Sequence, residues 1–247
     1  MKRQNTSVTL RTGKPQRDVV MGVRHPIEAR MMERIAHEFR TPLAIIQVSI
    51  DSLNRYRDRM MTEQLHTKEQ SIRMSIQHIT DMLDEIGTVI QGSFVPEGLI
   101  PVSVNLQQLC RDAQFKLEAQ FELPAKYSVD IPEDLTVCAD PVTLGRSIFH
   151  VMRNAARFSP PEAPVSVTAE RHGGDVMVRV TNLGMGIPTD EQPRVFEPFF
   201  RAHNIGEISG LGLGLTIAQA GIIAQGGSIS VESTPGAMTT FTLRLPA

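Results

Sequence analysis

Apolar residues recur with helical spacing through the first third of the chain. The first stripe, with separations of mostly three, four or seven residues, is Met31, Ile35, Phe39, Ile46, Ile50 and Leu53. A polar, charged break covers 56–68, and the second stripe is Ile72, Ile76, Ile79, Leu83, Ile86 and Ile90. Such periodicity is typical of helices that bury one face. The pattern therefore predicts an antiparallel helical hairpin over residues 27–91.

The two stripes need a partner surface, because one hairpin alone offers too little area to bury both. Two copies would bury the stripes together in a four-helix bundle, so we expect a homodimer. The alternative is that the hairpin packs against the rest of its own chain.

The pattern changes after a loop-like stretch at 92–101, which we interpret as a linker. Short alternating strands and helices follow, and Asn105 and Asp140 are good helix N-caps, with Pro141 after the second. We predict strands at 102–104, 127–131, 135–138, 165–171, 176–181, 228–232 and 239–245, and helices at 106–119, 141–158 and 215–224. This order predicts an α+β sandwich over 102–247, with a mixed, mainly antiparallel sheet and helices on one side.

The composition is that of an ordinary soluble globular protein, with 41% hydrophobic and 21% charged residues and a net charge of −2. No strongly basic face favours nucleic acid. No apolar stretch approaches the length of a membrane span, so we expect no membrane insertion. Two cysteines without a motif favour a reducing, cytoplasmic location.

The run 37–43, His-Glu-Phe-Arg-Thr-Pro-Leu, carries a reactive combination of side chains. His37 and Thr41 share a helix face, and Glu38 flanks it. A histidine nucleophile beside a carboxylate that can take its proton forms a plausible reactive unit, although most single helical histidines have only a surface or packing role. Pro42 removes a backbone donor, and we expect a kink there.

Two glycine clusters suggest phosphate handling. Residues 182–188 follow a predicted strand, and residues 210–215 precede a predicted helix. Glycine allows close approach of the backbone to a ligand, and a helix N-terminus offers N–H groups to phosphates. Either cluster alone could equally be an ordinary turn. The second is not a Walker loop, since no lysine follows it.

Further candidate residues lie between these clusters and before them. Asn154 is predicted on a helix, where its amide oxygen could bind Mg²⁺ or simply face solvent. Phe196, Phe199 and Phe200 precede residues 201–209, which we expect to form a mobile segment clamped by these rings. The alternative is that the three rings are ordinary core.

Together these segments resemble the transmitter module of two-component sensor histidine kinases. All five sequence boxes of that family occur in its order: residues 37–43 (H box), 153–159 (N box), 182–186 (first glycine box), 196–201 (F box) and 210–215 (second glycine box). The resemblance covers about residues 27–247. It implies a dimerisation and phosphoacceptor domain at 27–91 and a GHKL-type ATP-binding domain at 102–247.

The resemblance also implies an activity. His37 would attack the γ-phosphate of Mg²⁺-bound ATP, Glu38 would take the imidazole proton, and the phosphoryl group would pass to an aspartate of a response regulator receiver domain. Glu38 and Thr41 also match the family's phosphatase pattern. The implied nucleotide-binding residues are Asn154 (also the Mg²⁺ ligand), Arg157, Phe158, Asn182, Gly184, Gly186, Ile187, Arg201, Gly210, Gly212, Leu213, Gly214 and Leu215.

Three positions depart from the family pattern. Asn182 replaces an Asp whose carboxylate accepts a hydrogen bond from the adenine amino group, and we expect this to weaken binding by ~1 kcal/mol, about fivefold. His150 replaces an Asn and is a poor Mg²⁺ ligand. Arg157 replaces a Lys and keeps its charge. The alternatives to a working kinase are therefore a degenerate pseudokinase that serves as a dimer scaffold, or a phosphatase-dominant regulator.

Residues 1–26 are predicted to form a polar, basic tail, of which 8–24 faintly resembles a piece of a PAS domain. A fragment of this size cannot fold or bind a cofactor alone. We expect the signal to come from a separate sensor partner, or from a sensor domain that this chain lacks.

Overall fold

A computed structural model describes residues 26–90, 95, 98–121, 127–206, 208 and 210–247. Helices α1 (Pro26–Tyr56) and α2 (Thr62–Ile90) form the predicted hairpin, joined by a short 3-10 helix at Arg57–Arg59. The connection is shorter than the predicted break at 56–68, because α2 already begins at Thr62. Next to this helix start, Met61 N–H donates to Gln64 Oε1 at 3.0 Å.

Helix α1 continues through Pro42, so this proline does not end the helix. The predicted tail lies outside the described residues except for Pro26. Within the described part of the chain, neither helix of the hairpin nor any other is long and apolar enough to cross a membrane.

The C-terminal part contains every predicted strand and helix, with ends shifted by at most two residues. Its elements are β1 (Val102–Asn105), α3 (Leu106–Phe121), β2 (Tyr127–Asp130), β3 (Thr136–Ala139), α4 (Pro141–Arg157), β4 (Val165–His172), β5 (Asp175–Leu183), α5 (Gly214–Ile223), β6 (Ser228–Thr234) and β7 (Met238–Pro246). Strands form a sheet in the order β2-β4-β5-β7-β6, and β1 pairs with β3. Among the described strands, only β2 and β4 run parallel, which confirms the mixed, mainly antiparallel sheet.

Both predicted N-caps are present and fix where helices start. Asn105 Oδ1 accepts the N–H of Gln108 at 2.8 Å, and Asp140 Oδ1 accepts the N–H of Thr143 at 2.8 Å. The bond from Thr143 holds the pKa of Asp140 below its usual value. Asn105 thus sets the start of α3, and Asp140 sets the start of α4, the helix that carries Asn154.

The main core forms where one sheet face meets α3, α4 and α5. Alternate residues of β4, β5 and β7 point inward, as a half-buried antiparallel strand requires. Fully buried side chains here include Val165, Val167, Val176, Val178, Val180, Phe241, Leu243 and Leu245 from the sheet, and Leu106, Leu117, Leu144, Ile148, Met152 and Ile222 from the helices.

A second apolar cluster joins the hairpin to the C-terminal domain. Met82, Leu211, Leu213 and Ile217 are buried there, with Ile35, Phe39, Ile79, Ile86 and Phe199 packed around them. Part of each apolar stripe therefore packs on its own chain, which was the alternative to dimer burial. Other apolar residues of the hairpin remain exposed in the single chain, among them Leu43, Val48, Ile50, Ile76 and Leu83. The homodimer stays a prediction.

Candidate active site

A cavity lies where α4, both glycine clusters and α2 meet. The predicted nucleotide-binding residues that line it are Asn154, Arg157, Phe158, Asn182, Gly186, Ile187, Arg201, Gly210, Gly212, Leu213, Gly214 and Leu215. Gly184 is the one predicted binding residue that does not line this cavity. Segments from the hairpin and from several parts of the C-terminal domain thus converge on one site.

The first glycine cluster is shaped by close contacts between backbones. A Cβ at Gly184 would lie 2.1 Å from the carbonyl oxygen of Phe158. Gly186 has φ +62°, and a Cβ there would lie 2.3 Å from Thr234 O. Gly184 therefore lets the end of β5 pack against the end of α4, which gives this glycine a packing role.

The second glycine cluster forms the wall of the cavity in front of α5. Gly212 has φ +74°. Its carbonyl oxygen accepts a hydrogen bond from Phe199 N–H at 3.0 Å, which ties the glycine cluster to the segment that contains Phe199. Helix α5 begins at Gly214, which also lines the cavity. The unpaired N–H groups of a first helical turn favour an anion, so this wall suits phosphates.

The opposite end of the cavity presents polar side chains from paired strands. Asn182 on β5 and Thr239 on β7 are buried and directly opposite each other in the sheet. Asn182 Nδ2 donates to Leu183 O at 3.2 Å, which leaves Oδ1 as the acceptor of this amide. An acceptor here suits the amino group of adenine. Thr239 belongs to no sequence box, and only its alternation along β7 indicated an inward position.

Three guanidinium groups, those of Arg153, Arg157 and Arg201, line the phosphate side of the cavity. Burial, together with the nearby charge of Arg153, lowers the pKa of Arg157 to about 10. Arg201 also donates to Gly210 O at 3.1 Å and to Ile208 O. These bonds tie the described part of the predicted mobile segment to the second glycine cluster.

His150 is a buried residue with charged neighbours. Its Nδ1 lies 3.3 Å from Arg153 Nη2 and 3.9 Å from Glu85 Oε1. Burial, and then the charges of Arg153 and Arg146, lower the pKa of His150 well below 6.5. The imidazole is therefore neutral and accepts a hydrogen bond from Arg153.

Asn154, the predicted Mg²⁺ ligand, lies half-buried in the wall of the cavity. The described residues contain no group of three or more His, Cys, Asp or Glu side chains that could hold a metal. A single amide oxygen fits Mg²⁺, which completes its shell with waters and nucleotide phosphates.

Helix α2 supplies part of the cavity, which the sequence did not indicate. His78, Asp81, Met82 and Glu85 line it and share one face of the helix. Burial lowers the pKa of His78 and raises that of Asp81. The spacing of these four residues in the sequence places them on one helix face. The spacing does not indicate that this face packs against the C-terminal domain.

The three H-box residues are separated by the structure. His37 and Thr41 are exposed one turn apart on α1, and neither lines the cavity. Glu38 is buried, and its carboxylate accepts Gly210 N–H at 2.7 Å and Arg201 Nη1 at 3.0 Å. Glu38 thus reaches the rim of the cavity, while His37 does not enter it.

Comparison with known proteins gives consistent results. Residues 139–247 match the model for histidine kinase-, DNA gyrase B- and HSP90-like ATPases. The chain is 29% identical over 217 residues to the sensor-like histidine kinase SenX3 of Mycobacterium tuberculosis, covering 86% of this chain and 52% of that protein. It is 29% identical over 219 residues to the sensor protein VanS of Enterococcus faecium, covering 86% and 56%. The chain spans about half the length of these relatives.

Two solved structures share the architecture. The mycobacterial sensor histidine kinase MprB matches with a TM-score of 0.53 and 27% identity, over 60% of this chain and 97% of that one. Histidine kinase ThkA, solved in complex with response regulator protein TrrA, matches with a TM-score of 0.62 and 24% identity, over 89% and 62%. At that identity the second match shows the fold alone. The shared ATPase domain, the helical hairpin and the similarity to sensor kinases support a two-component histidine kinase transmitter module.

Proposed function

We propose that this chain catalyses ATP-dependent autophosphorylation of His37 and passes the phosphoryl group to an aspartate of a response regulator. The observation that carries the proposal is the cavity itself, in which Asn154, Asn182 and the start of α5 converge beside the hairpin that bears His37. We place the phosphoacceptor domain at 27–91, the linker at 92–101 and the ATP-binding domain at 102–247.

ATP would lie with adenine at Asn182 and its phosphates at the second glycine cluster. Asn182 Oδ1 would accept the adenine amino group, and the N–H groups before and within α5 would bind phosphate oxygens. The guanidinium groups of Arg157 and Arg201 would balance their charge. Mg²⁺ held by Asn154, when bound, supplies further neutralisation of the phosphates.

The transfer step needs only positioning and a proton acceptor. An imidazole nitrogen of His37 attacks the γ-phosphorus, the bond to the β,γ-bridging oxygen breaks, and ADP leaves. Glu38 takes the proton from the other ring nitrogen. Because His37 does not line the cavity here, transfer requires a different placement of the H box, from the same chain or from a second copy in the predicted homodimer.

Incubation with γ-³²P-ATP and Mg²⁺ tests the proposal directly. We expect acid-labile, base-stable label on the wild type and on His66→Ala, an exposed histidine of α2 that serves as a matched control. His37→Ala and Asn154→Ala should carry none. A folded wild type that acquires no label would contradict the kinase proposal and favour the scaffold alternative.

A response-regulator phosphatase activity is the second candidate. It is favoured by the exposure of Thr41 one turn from His37, where its hydroxyl is accessible to a docked receiver domain. We expect Thr41→Ala to lose dephosphorylation of a phosphorylated receiver domain while it still labels itself at His37. Equal loss of both activities would argue against a separate role for Thr41.

A further inference from the structure

Two carboxylates of the hairpin are paired with arginines of the nucleotide cavity. Glu38 Oε1 accepts Arg201 Nη1 at 3.0 Å, and Glu85 Oε1 pairs with Arg153 Nη2. The glutamates are 6% and 7% exposed. Both arginines line the cavity, so the hairpin supplies the negative charge that this side of the cavity needs.

Glu38 also occupies a backbone donor of the second glycine cluster. Its Oε2 accepts Gly210 N–H at 2.7 Å, while Oε1 is bonded to Arg201. A glycine-loop N–H beside a guanidinium is the donor set that binds phosphate oxygens. In this structure the Glu38 carboxylate is the anion bound by these two donors. A phosphate reaching the same two donors must displace Glu38.

Neither pair can open without replacement, because an unpaired buried charge is strongly unfavourable. Arg157 adds a further positive charge to this side of the cavity. Burial and the neighbouring charge of Arg153 lower the pKa of Arg157, which shows that its charged form is already disfavoured here. If both glutamates left together, the half-buried guanidinium groups of Arg153, Arg157 and Arg201 would lose these two neighbouring negative charges. Nucleotide phosphates carry the charge that could take over from the carboxylates.

We propose that Glu38 and Glu85 compete with the phosphates of the nucleotide for Arg201, Gly210 N–H and Arg153, so that nucleotide loading releases the H-box carboxylate. The inference rests on the proposed nucleotide function. It gives Glu38 two successive roles: it holds the empty phosphate donors, and once phosphates replace it, it becomes available to take the proton of His37. Proton acceptance is thereby tied to an occupied cavity.

Calorimetric titration of the whole chain with the non-hydrolysable triphosphate AMP-PNP tests the competition. Glu38→Gln keeps the size of the side chain but removes the charge that pairs with Arg201. We expect it to bind AMP-PNP roughly threefold to tenfold more tightly, because less of the protein is held in the competing state. Adenosine, which has no phosphate, should bind both forms equally. Glu33→Gln, an exposed acid on the same helix, is the control and should match the wild type.

Glu85→Gln repeats the test at Arg153 without altering the H box. If Glu38→Gln does not fold, the binding measured for Glu85→Gln alone decides the test. Unchanged or weaker AMP-PNP binding in the folded variants would overturn the competition. Equal tightening of AMP-PNP and adenosine would also overturn it, since the effect would then not concern the phosphates. A wild type that binds neither molecule would instead contradict the nucleotide function itself.

Discussion

The two ends of the candidate nucleotide cavity are built in different ways. The proposed adenine end consists of Asn182 and Thr239 on paired strands, with Gly186 close to the turn between β6 and β7. The proposed phosphate end contains Arg153 and Arg201, whose counter-charges come from the hairpin. The first end is built by the C-terminal domain, whereas the second also depends on residues of the hairpin.

This difference follows from the groups that each end uses. Sheet register and backbone contacts fix the proposed adenine end, because a packed backbone has little freedom to shift. Guanidinium groups sit on long side chains that can exchange partners. Base recognition should therefore be insensitive to the position of the hairpin, and phosphate binding should respond to it.

The largest expected effect comes from breaking the backbone contact that supports the adenine end. In Gly184→Ala the new Cβ would lie 2.1 Å from Phe158 O, so β5 and α4 must separate. We expect the free energy of unfolding to fall by about 2–4 kcal/mol, with loss of nucleotide binding. Urea unfolding measures the first quantity.

Gly174→Ala is the matched control, because a Cβ there meets no atom within 4 Å. It lies in the turn between β4 and β5, on the same strand pair. Equal stability of the two alanine variants would show that the contact at Gly184 relaxes without cost.

An intermediate effect is expected at Asn182, which sharpens the account of base recognition. Asn182→Leu removes the Oδ1 acceptor, and we expect about a tenfold loss of adenosine affinity by calorimetry. Asn182→Asp gains a charged acceptor but loses the bond from Nδ2 to Leu183 O. These changes oppose each other, so we expect affinity within about threefold of the wild type. An increase of tenfold or more would mean that the bond to Leu183 O contributes little.

The smallest effect concerns acid stability at the junction between α4 and the hairpin. The folded pKa of His150 is depressed below its unfolded value of 6.5. Below pH 6.5 the unfolded state therefore binds more protons than the folded state. The free energy of unfolding keeps its full His150 contribution above pH 6.5 and falls as the pH decreases from 6.5 toward the folded pKa. The slope is at most about 1.4 kcal/mol per pH unit.

Unfolding midpoints between pH 7.5 and 5.5 check this expectation. His150→Asn should flatten the dependence but not abolish it, because burial also lowers the pKa of His78. Asp140 and Glu170 have lowered pKa values and titrate below this window. A slope identical in the wild type and His150→Asn would rule out a neutral, buried His150.

The fold could be read from the sequence because its signals are local. The caps at Asn105 and Asp140 and the alternation along β5 and β7 led to boundaries within two residues of those observed. The family resemblance supplied the predicted binding residues, and all of them except Gly184 line one cavity. Gly184 packs against Phe158 O, and glycine spacing alone does not distinguish such a contact from one with a ligand.

Predictions that required knowledge of distant contacts were less complete. The stripe containing Ile35 and Phe39 was assigned to a dimer interface, yet these residues pack around Leu211 and Leu213. His150 was weighed as a poor metal ligand, whereas it is a buried acceptor beside Arg153. An apolar stripe indicates that a helix face is buried, but it does not indicate which apolar surface packs against that face, because the hydrophobic effect is non-directional.

The sequence by itself determined the helices, the strands, the order of the five boxes and the residues capable of chemistry, because periodicity, capping and glycine geometry act within a few residues. Only the tertiary structure decided which charges meet. Glu38 and Arg201 are 163 positions apart, and Glu85 and Arg153 are 68 apart. Electrostatic pairing acts through space and depends on burial, so no local pattern encodes it. The fold therefore decides that Glu38 of the H box pairs with Arg201 and Gly210 N–H at the edge of the cavity.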